Sequence, residues 1–178
     1  LHNLRNALGA TAAARFFGVD WDAIRKGLSS FQGVARRFDT VGLVGEILVV
    51  DDYAHHPSEI TATLAAARAA HPDRRIVAVF QPHLFTRTRD FAEDFGRALT
   101  AADVVWVTDI FPAREDPIAG VTGELVAFAA DRSGATVHYH VDIDTLPEVV
   151  VEELAAGDLL VTMGAGSVDG VARRVITL

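Results

Sequence analysis

No cysteine occurs among the 178 residues. Disulfides and thiolate zinc sites are thereby excluded, as suits a reducing compartment. No apolar run approaches the ~20 residues that cross a membrane. The N-terminus also lacks the charged-then-apolar pattern of a secretory signal, so the expected location is cytoplasmic. Basic residues are in the minority: 16 Lys and Arg stand against 24 Asp and Glu, for a net charge of -8. The acids are scattered rather than massed, which argues against a general affinity for nucleic acid. No Gly-x-x-x-x-Gly-Lys-Ser/Thr occurs, so a phosphate cradle of that type is missing. Internal repeats, low-complexity tracts and flexible linkers are absent as well. There is no initiator Met, and the first residues already carry a helical pattern, as expected of a piece of a longer protein.

What is present is ordinary globular material: 50% hydrophobic and 22% charged residues, enough for one good core, or one domain plus part of another. Residues 1–17 place apolar side chains at Leu1, Leu4, Leu8, Ala12 and Phe16, a helical period. Gly18 suits the helix end. Asp20 suits the cap of a second helix over 21–28. Helix, turn and helix without a strand make no domain, and the texture changes between Gly33 and Arg36, so the boundary is set at 34/35. Two β-rich runs, 38–44 and 46–50, follow and are joined tightly at Gly45, the geometry of an antiparallel hairpin. From there strands at 47–50, 75–80, 104–108, 136–140 and 158–163 alternate with helices at 57–71, 87–101, 122–131, 145–155 and 168–175. Such alternation predicts an α/β fold: a doubly wound, mostly parallel sheet with flanking helices.

The chemistry gathers where strands end. Val49-Val50-Asp51-Asp52-Tyr53-Ala54-His55-His56-Pro57 is a buried strand that empties into two carboxylates, a phenol and two imidazoles before Pro57 opens a helix. Open α/β sheets bind ligands at the carboxyl ends of their strands. The same residues also suit a loop that merely caps backbone groups. Gln81-Pro82-His83-Leu84-Phe85-Thr86-Arg87-Thr88-Arg89-Asp90 ends the next strand, on the same rim, with Thr86 as candidate N-cap. Arg87 and Arg89 then fall in a first helical turn, where cations oppose the helix dipole. Either they face a bound anion, held in bidentate fashion, or they pair with Asp90 and Glu93 on a solvated face. Gly164-Ala165-Gly166 reads as a tight strand-to-helix turn, because its glycine spacing does not fit a dinucleotide fingerprint. His138 and His140 read as surface residues without a metal partner, and Glu115 and Asp116 as solvated loop residues.

Four stretches then stand in a telling order: His2-Asn3-Leu4-Arg5-Asn6-Ala7, Arg36-Arg37-Phe38, Asp51-Asp52-Tyr53-Ala54-His55-His56-Pro57, and Gln81-Pro82-His83 through Thr86-Arg87-Thr88-Arg89-Asp90. Together they resemble the Mur ligase family over essentially the whole chain. The resemblance implies a Rossmann-like C-terminal domain over 35–178, preceded in 1–34 by the last helices of a central ATP-binding domain. It implies ATP-dependent ligation of L-alanine to UDP-N-acetylmuramate through an acyl phosphate, a cytoplasmic step of peptidoglycan synthesis. By the motif match, His2, Asn3 and Asn6 contact adenine, Asp52 the ribose, and Arg37 the phosphates. Tyr53, His55, His83 and Arg87 line the amino-acid site, with Arg37 and His55 as the catalytic pair. Magnesium is expected on the part of the protein upstream of this chain, which alone is expected to be inactive. Similar enzymes often read Gln-Pro-His-Arg-Tyr; here Leu84 and Phe85 remove a cation and a hydroxyl, which throws carboxylate recognition onto Arg87 and Arg89. The alternatives are a sister ligase that attaches a recycled tripeptide to the same sugar, and a non-catalytic α/β binding module. A dimer through the apolar faces of the first two helices is a further expectation.

Overall fold

The computed structural model describes residues 2–31 and 33–178, with side chains from Leu4 onward; Leu1, Gln32 and the side chains of His2 and Asn3 lie outside the described residues. The chain forms two compact units, Leu1–Val34 and Ala35–Leu178.

The first unit is a helical pair, α1 (His2–Phe16) and α2 (Trp21–Ser30). Gly18 closes α1 at φ 82°, a conformation that costs a residue without Cβ little. Asp20 caps α2, its carboxylate accepting the N–H groups of Asp22 and Ala23 at 2.9 Å each. Leu4, Leu8, Phe16, Phe17, Trp21 and Leu28 are exposed, and Ile24 is buried.

The second unit is one six-stranded sheet: β1 (Asp39–Val44), β2 (Ile47–Asp52), β3 (Ile76–Phe80), β4 (Val104–Val107), β5 (Val137–Tyr139) and β6 (Leu159–Met163). Its spatial order is β1-β2-β6-β3-β4-β5. The hairpin β1–β2 is antiparallel, as its tight Gly45 turn requires, and every other pairing is parallel. The last strand in the chain thus enters between β2 and β3. Five helices cover the faces: α3 (Pro57–Ala70), α4 (Phe85–Leu99), α5 (Glu124–Arg132), α6 (Leu146–Glu153) and α7 (Asp169–Val175).

Alternation along the strands sorts the core into two layers. Val50, Ala78, Phe80, Val105, Val107 and Val161 pack against Ile60 and Leu64 of α3, Phe95 and Leu99 of α4, and Val126 of α5. Their neighbours Val49, Val77, Val79, Trp106 and Leu160 pack against Leu146 and Val150 of α6 and Val171 and Val175 of α7. Each large apolar side chain fully removed from water contributes roughly 1.5–3 kcal/mol, so these layers carry the fold.

Two local expectations need correction. Helix α4 begins at Phe85 rather than 87, and Thr86 is not its cap; Leu84 holds that position at φ 73°, with no side-chain hydrogen bond to the helix. The last described strand residue of β5 is Tyr139, so His140 lies beyond the strand and bonds Thr145 Oγ1 at 2.8 Å. His138 stacks on Trp106, ring centres 4.6 Å apart.

Candidate active site

The register Asp52–Met163–Phe80 brings the carboxyl ends of β2, β6 and β3 level. The loops leaving those ends therefore share one rim, at the point where the strand order reverses. Open α/β sheets place ligands at such a point.

Asp51 and Asp52 are both buried, and each is spoken for. Asp51 accepts the Thr162 hydroxyl at 2.6 Å and the Arg36 Nε at 2.8 Å. Arg36 continues with its two terminal nitrogens to the carbonyls of Gly166 and Gly164, at 3.1 and 2.8 Å. It is a staple between the start of β1 and the loop after β6. Asp52 accepts the N–H of Phe38 at 2.7 Å and of Ala54 at 2.8 Å. Burial raises its pKa from the usual carboxylate value, against the pull of those two N–H groups.

Arg37 behaves differently from its neighbour. It is half exposed and comes no closer than 4.0 Å to a carboxylate, that of Glu59. Both guanidinium groups also lie over the Tyr53 ring, Arg36 at 5.0 Å and Arg37 at 5.5 Å from its centre. Arg36 and Phe38, on either side of Arg37, have φ of 59° and 50°. Positive φ in residues with side chains is sparsely populated, so the bonds of Arg36 and Asp52 hold this segment against local preference.

Two histidines follow Tyr53, and only one of them turns to the rim. His56 caps α3 and leans on Phe91, centroids 5.2 Å apart. His55 meets Tyr53 edge to face at 5.3 Å and lies 5.8 Å from the His83 ring. Its Nδ1 is 2.8 Å from the Tyr53 carbonyl oxygen and 3.5 Å from Glu59.

His83 is held by the long loop after β4. Phe111 stacks on its ring at 5.8 Å and exchanges backbone bonds on both sides of it, Leu84 N–H to Phe111 O at 3.0 Å and Phe111 N–H to Pro82 O at 2.9 Å. That bridge is what forces Leu84 to positive φ. Desolvation, then Arg87 and His55, hold the His83 pKa below its usual 6.5. The same loop supplies the cap that α4 lacks: Glu115 accepts the N–H of Thr86 at 2.9 Å and also its hydroxyl. Those bonds keep the Glu115 carboxyl below its usual value. Glu115 is thus a surface loop residue that also serves as a cap. Nothing local marks a cap that lies 29 residues from the helix it serves.

The two arginines in the first turns of α4, Arg87 and Arg89, separate. Arg89 pairs with Asp90 on the exposed face, at 2.7 Å. Arg87 is half buried, and its Nη1 makes only long contacts, 3.4 Å to His83 Nδ1 and 3.5 Å to the His55 carbonyl. Among the described residues no carboxylate stands within ion-pair distance of it. Tyr53, His55, His83 and Arg87 thus converge, with Arg37 over the Tyr53 ring. Of the residues matched to ATP, Asn6 lies on α1 in the first unit, and the side chains of His2 and Asn3 are outside the described residues. No group of three or more metal-ligating side chains stands together among the described residues.

Comparison with known proteins adds three findings. Residues 36–166 match the family model described as Mur ligase, glutamate ligase domain. The UDP-N-acetylmuramate–L-alanine ligase of Cutibacterium acnes is 52% identical over 94% of this chain, which spans 36% of that protein's length. Among solved structures, the UDP-N-acetylmuramate–alanine ligase of Thermotoga maritima aligns with a TM-score of 0.82 and 28% identity over 99% of this chain and 37% of that one. A murein peptide ligase from Psychrobacter arcticus aligns with 0.75 and 32%, over 99% and 36%. The chain therefore spans little more than a third of the relatives it matches.

Proposed function

The chain belongs to the Mur ligase family, and we propose that within a full-length ligase it forms the amino-acid side of the active site for joining L-alanine to UDP-N-acetylmuramate. The observation that carries this reading is Arg87. It is a half-buried guanidinium without a carboxylate partner among the described residues, beside His55 and His83 on the ligand-binding rim. A carboxylate held there by charge-assisted bonds satisfies it, and an α-amino acid brings its amine to the two imidazoles in the same placement.

ATP supplies the activation, converting the muramoyl carboxylate to an acyl phosphate. Arg37, exposed and loosely paired, is placed to offset charge as phosphate moves. His55 is the natural acceptor for a proton from the alanine ammonium, which must become a neutral amine before it can attack. Asp52 keeps lone pairs beyond the two that its N–H partners use, so a ribose hydroxyl can still bond it. His2, Asn3 and Asn6 are assigned to adenine. Residues 1–34 are read as the closing helices of the ATP-binding domain, which accounts for their exposed apolar side chains. Among the described residues no cluster of carboxylates and imidazoles fits a magnesium site.

The likeness to a murein peptide ligase gives the rival reading, a tripeptide in place of alanine. Phosphate release by a full-length ligase carrying this chain, with ATP, UDP-N-acetylmuramate and either L-alanine or the tripeptide, separates the two. Turnover with alanine alone is expected. Turnover with the tripeptide alone overturns the alanine assignment, and turnover with neither overturns the ligase reading.

A further inference from the structure

Glu59 has no part in the assignments above, yet its carboxylate reaches both catalytic candidates. Its Oε2 accepts the backbone N–H of His55 at 3.0 Å and lies 3.5 Å from His55 Nδ1. Its Oε1 lies 4.0 Å from Arg37 Nη1. Burial opposes its ionisation, but the His55 N–H, the His55 ring and Arg37 outweigh burial and hold the carboxyl below its usual value.

The tautomer of His55 follows from these contacts. Nδ1 faces two oxygens, the Tyr53 carbonyl at 2.8 Å and the Glu59 carboxylate at 3.5 Å, and neither can donate. A bare lone pair at Nδ1 would be repelled by both, so Nδ1 carries the proton and Nε2 is left bare. Cations stand near it as well: Arg37 over the Tyr53 ring, and Arg87 against the His55 carbonyl and the His83 ring. Glu59 is therefore the counter-charge that an imidazolium would need there. The arrangement has the logic of an acid that orients a catalytic histidine without taking its proton.

We propose that Glu59 is the positioning residue of this site: it holds the His55 backbone and faces the Nδ1–H that the Tyr53 carbonyl sets, as the counter-charge that lets Nε2 accept a proton from the incoming ammonium, and it ties that imidazole to Arg37. This rests on the ligase reading above. The ammonium gives one proton to Nε2, and the freed lone pair forms the C–N bond as the C–O bond to phosphate breaks. The second proton leaves with the phosphate as hydrogen phosphate.

The simpler role for Glu59 is structural. It is the third residue of α3, where Glu or Gln reaches back to cap the helix start. Glu59→Gln separates the two roles, because Gln keeps the cap and loses the charge. Two-bond ¹⁵N–¹H spectra of this 178-residue chain, with His55 assigned through His55→Gln, read the tautomer without any activity. The parent should show Nδ1–H, and Glu59→Gln should keep that tautomer and the parental melting temperature, because the Tyr53 carbonyl still faces Nδ1 and the amide oxygen keeps the cap, so that only the charge is lost. In the full-length ligase, kcat of Glu59→Gln should fall about 10- to 100-fold, part of what a positioned proton acceptor contributes, while the KM for ATP stays within about twofold. Nε2–H in the parent chain overturns the proposal. So does a Glu59→Gln enzyme with parental kcat. A parental full-length enzyme without alanine-dependent turnover defeats the ligase reading alone, and the parent spectra still decide whether His55 leaves Nε2 bare beside Glu59.

Discussion

Arg36 and Arg37 set their guanidinium groups over the same Tyr53 ring, at 5.0 and 5.5 Å, but they are bonded in opposite ways. Arg36 is consumed by Asp51, Gly164 and Gly166. Arg37 keeps its donors toward solvent. One holds the loop, and the other is displayed by it.

Their substitutions should therefore separate stability from chemistry. Arg36→Ala strands the buried Asp51 carboxylate with the Thr162 hydroxyl alone, and should cost about 3 kcal/mol in urea unfolding of the chain. Arg37→Ala should stay within about 0.5 kcal/mol of the parent. In the full-length enzyme it should lower kcat by about 100-fold or more. Equal destabilisation by both would contradict the division of roles.

Arg87 and Arg89 make a second contrasting pair. Arg87→Ala should raise the KM for alanine about 10- to 100-fold, the worth of a charge-assisted bond to a carboxylate, with little change for ATP. Arg89→Ala, which only frees Asp90 on an exposed face, should leave both constants unchanged. Steady-state kinetics with each substrate varied decides the matter.

His83 predicts a pH dependence. Its folded pKa lies below 6.5, so between that lowered value and 6.5 the unfolded chain binds the proton that the folded chain refuses. Stability from this group is complete above pH 6.5 and is lost as pH falls through the folded value. Unfolding free energies measured from pH 5 to 7.5 should rise with pH. The rise should be shallower in His83→Gln, and an identical slope in the two proteins would reject the assignment.

Gly166 predicts a packing failure. A Cβ there would lie 2.4 Å from Gln81 Oε1 and 2.5 Å from the Phe111 ring. Gly166→Ala should cost about 1–3 kcal/mol, as overpacking does. It should also push Phe111 off His83, which the His83 ring resonances would report in NMR spectra of the chain.

The sequence by itself determined the elements and their class. Period-2 and period-3.6 patterns, Asp20 as a cap, Pro57 at a helix start and the tight Gly45 hairpin all act over a few residues, so they can be read along the chain. The parallel sheet and the shared rim followed from alternation of strand and helix. Tertiary structure alone decided the insertion of β6 between β2 and β3, because a fully apolar strand such as 159–163 carries no mark of which neighbours it will pair. It also decided which of two adjacent like residues faces the site: Arg37 and not Arg36, His55 and not His56, Arg87 and not Arg89. Each choice was made by a partner distant in sequence or by the turn of the backbone at that residue. Thr86 fails as the cap of α4 for the same reason. The group that caps α4 is Glu115, brought in by the loop whose Phe111 also bends Leu84 to positive φ, and a contact made across 29 residues leaves no trace in a local pattern.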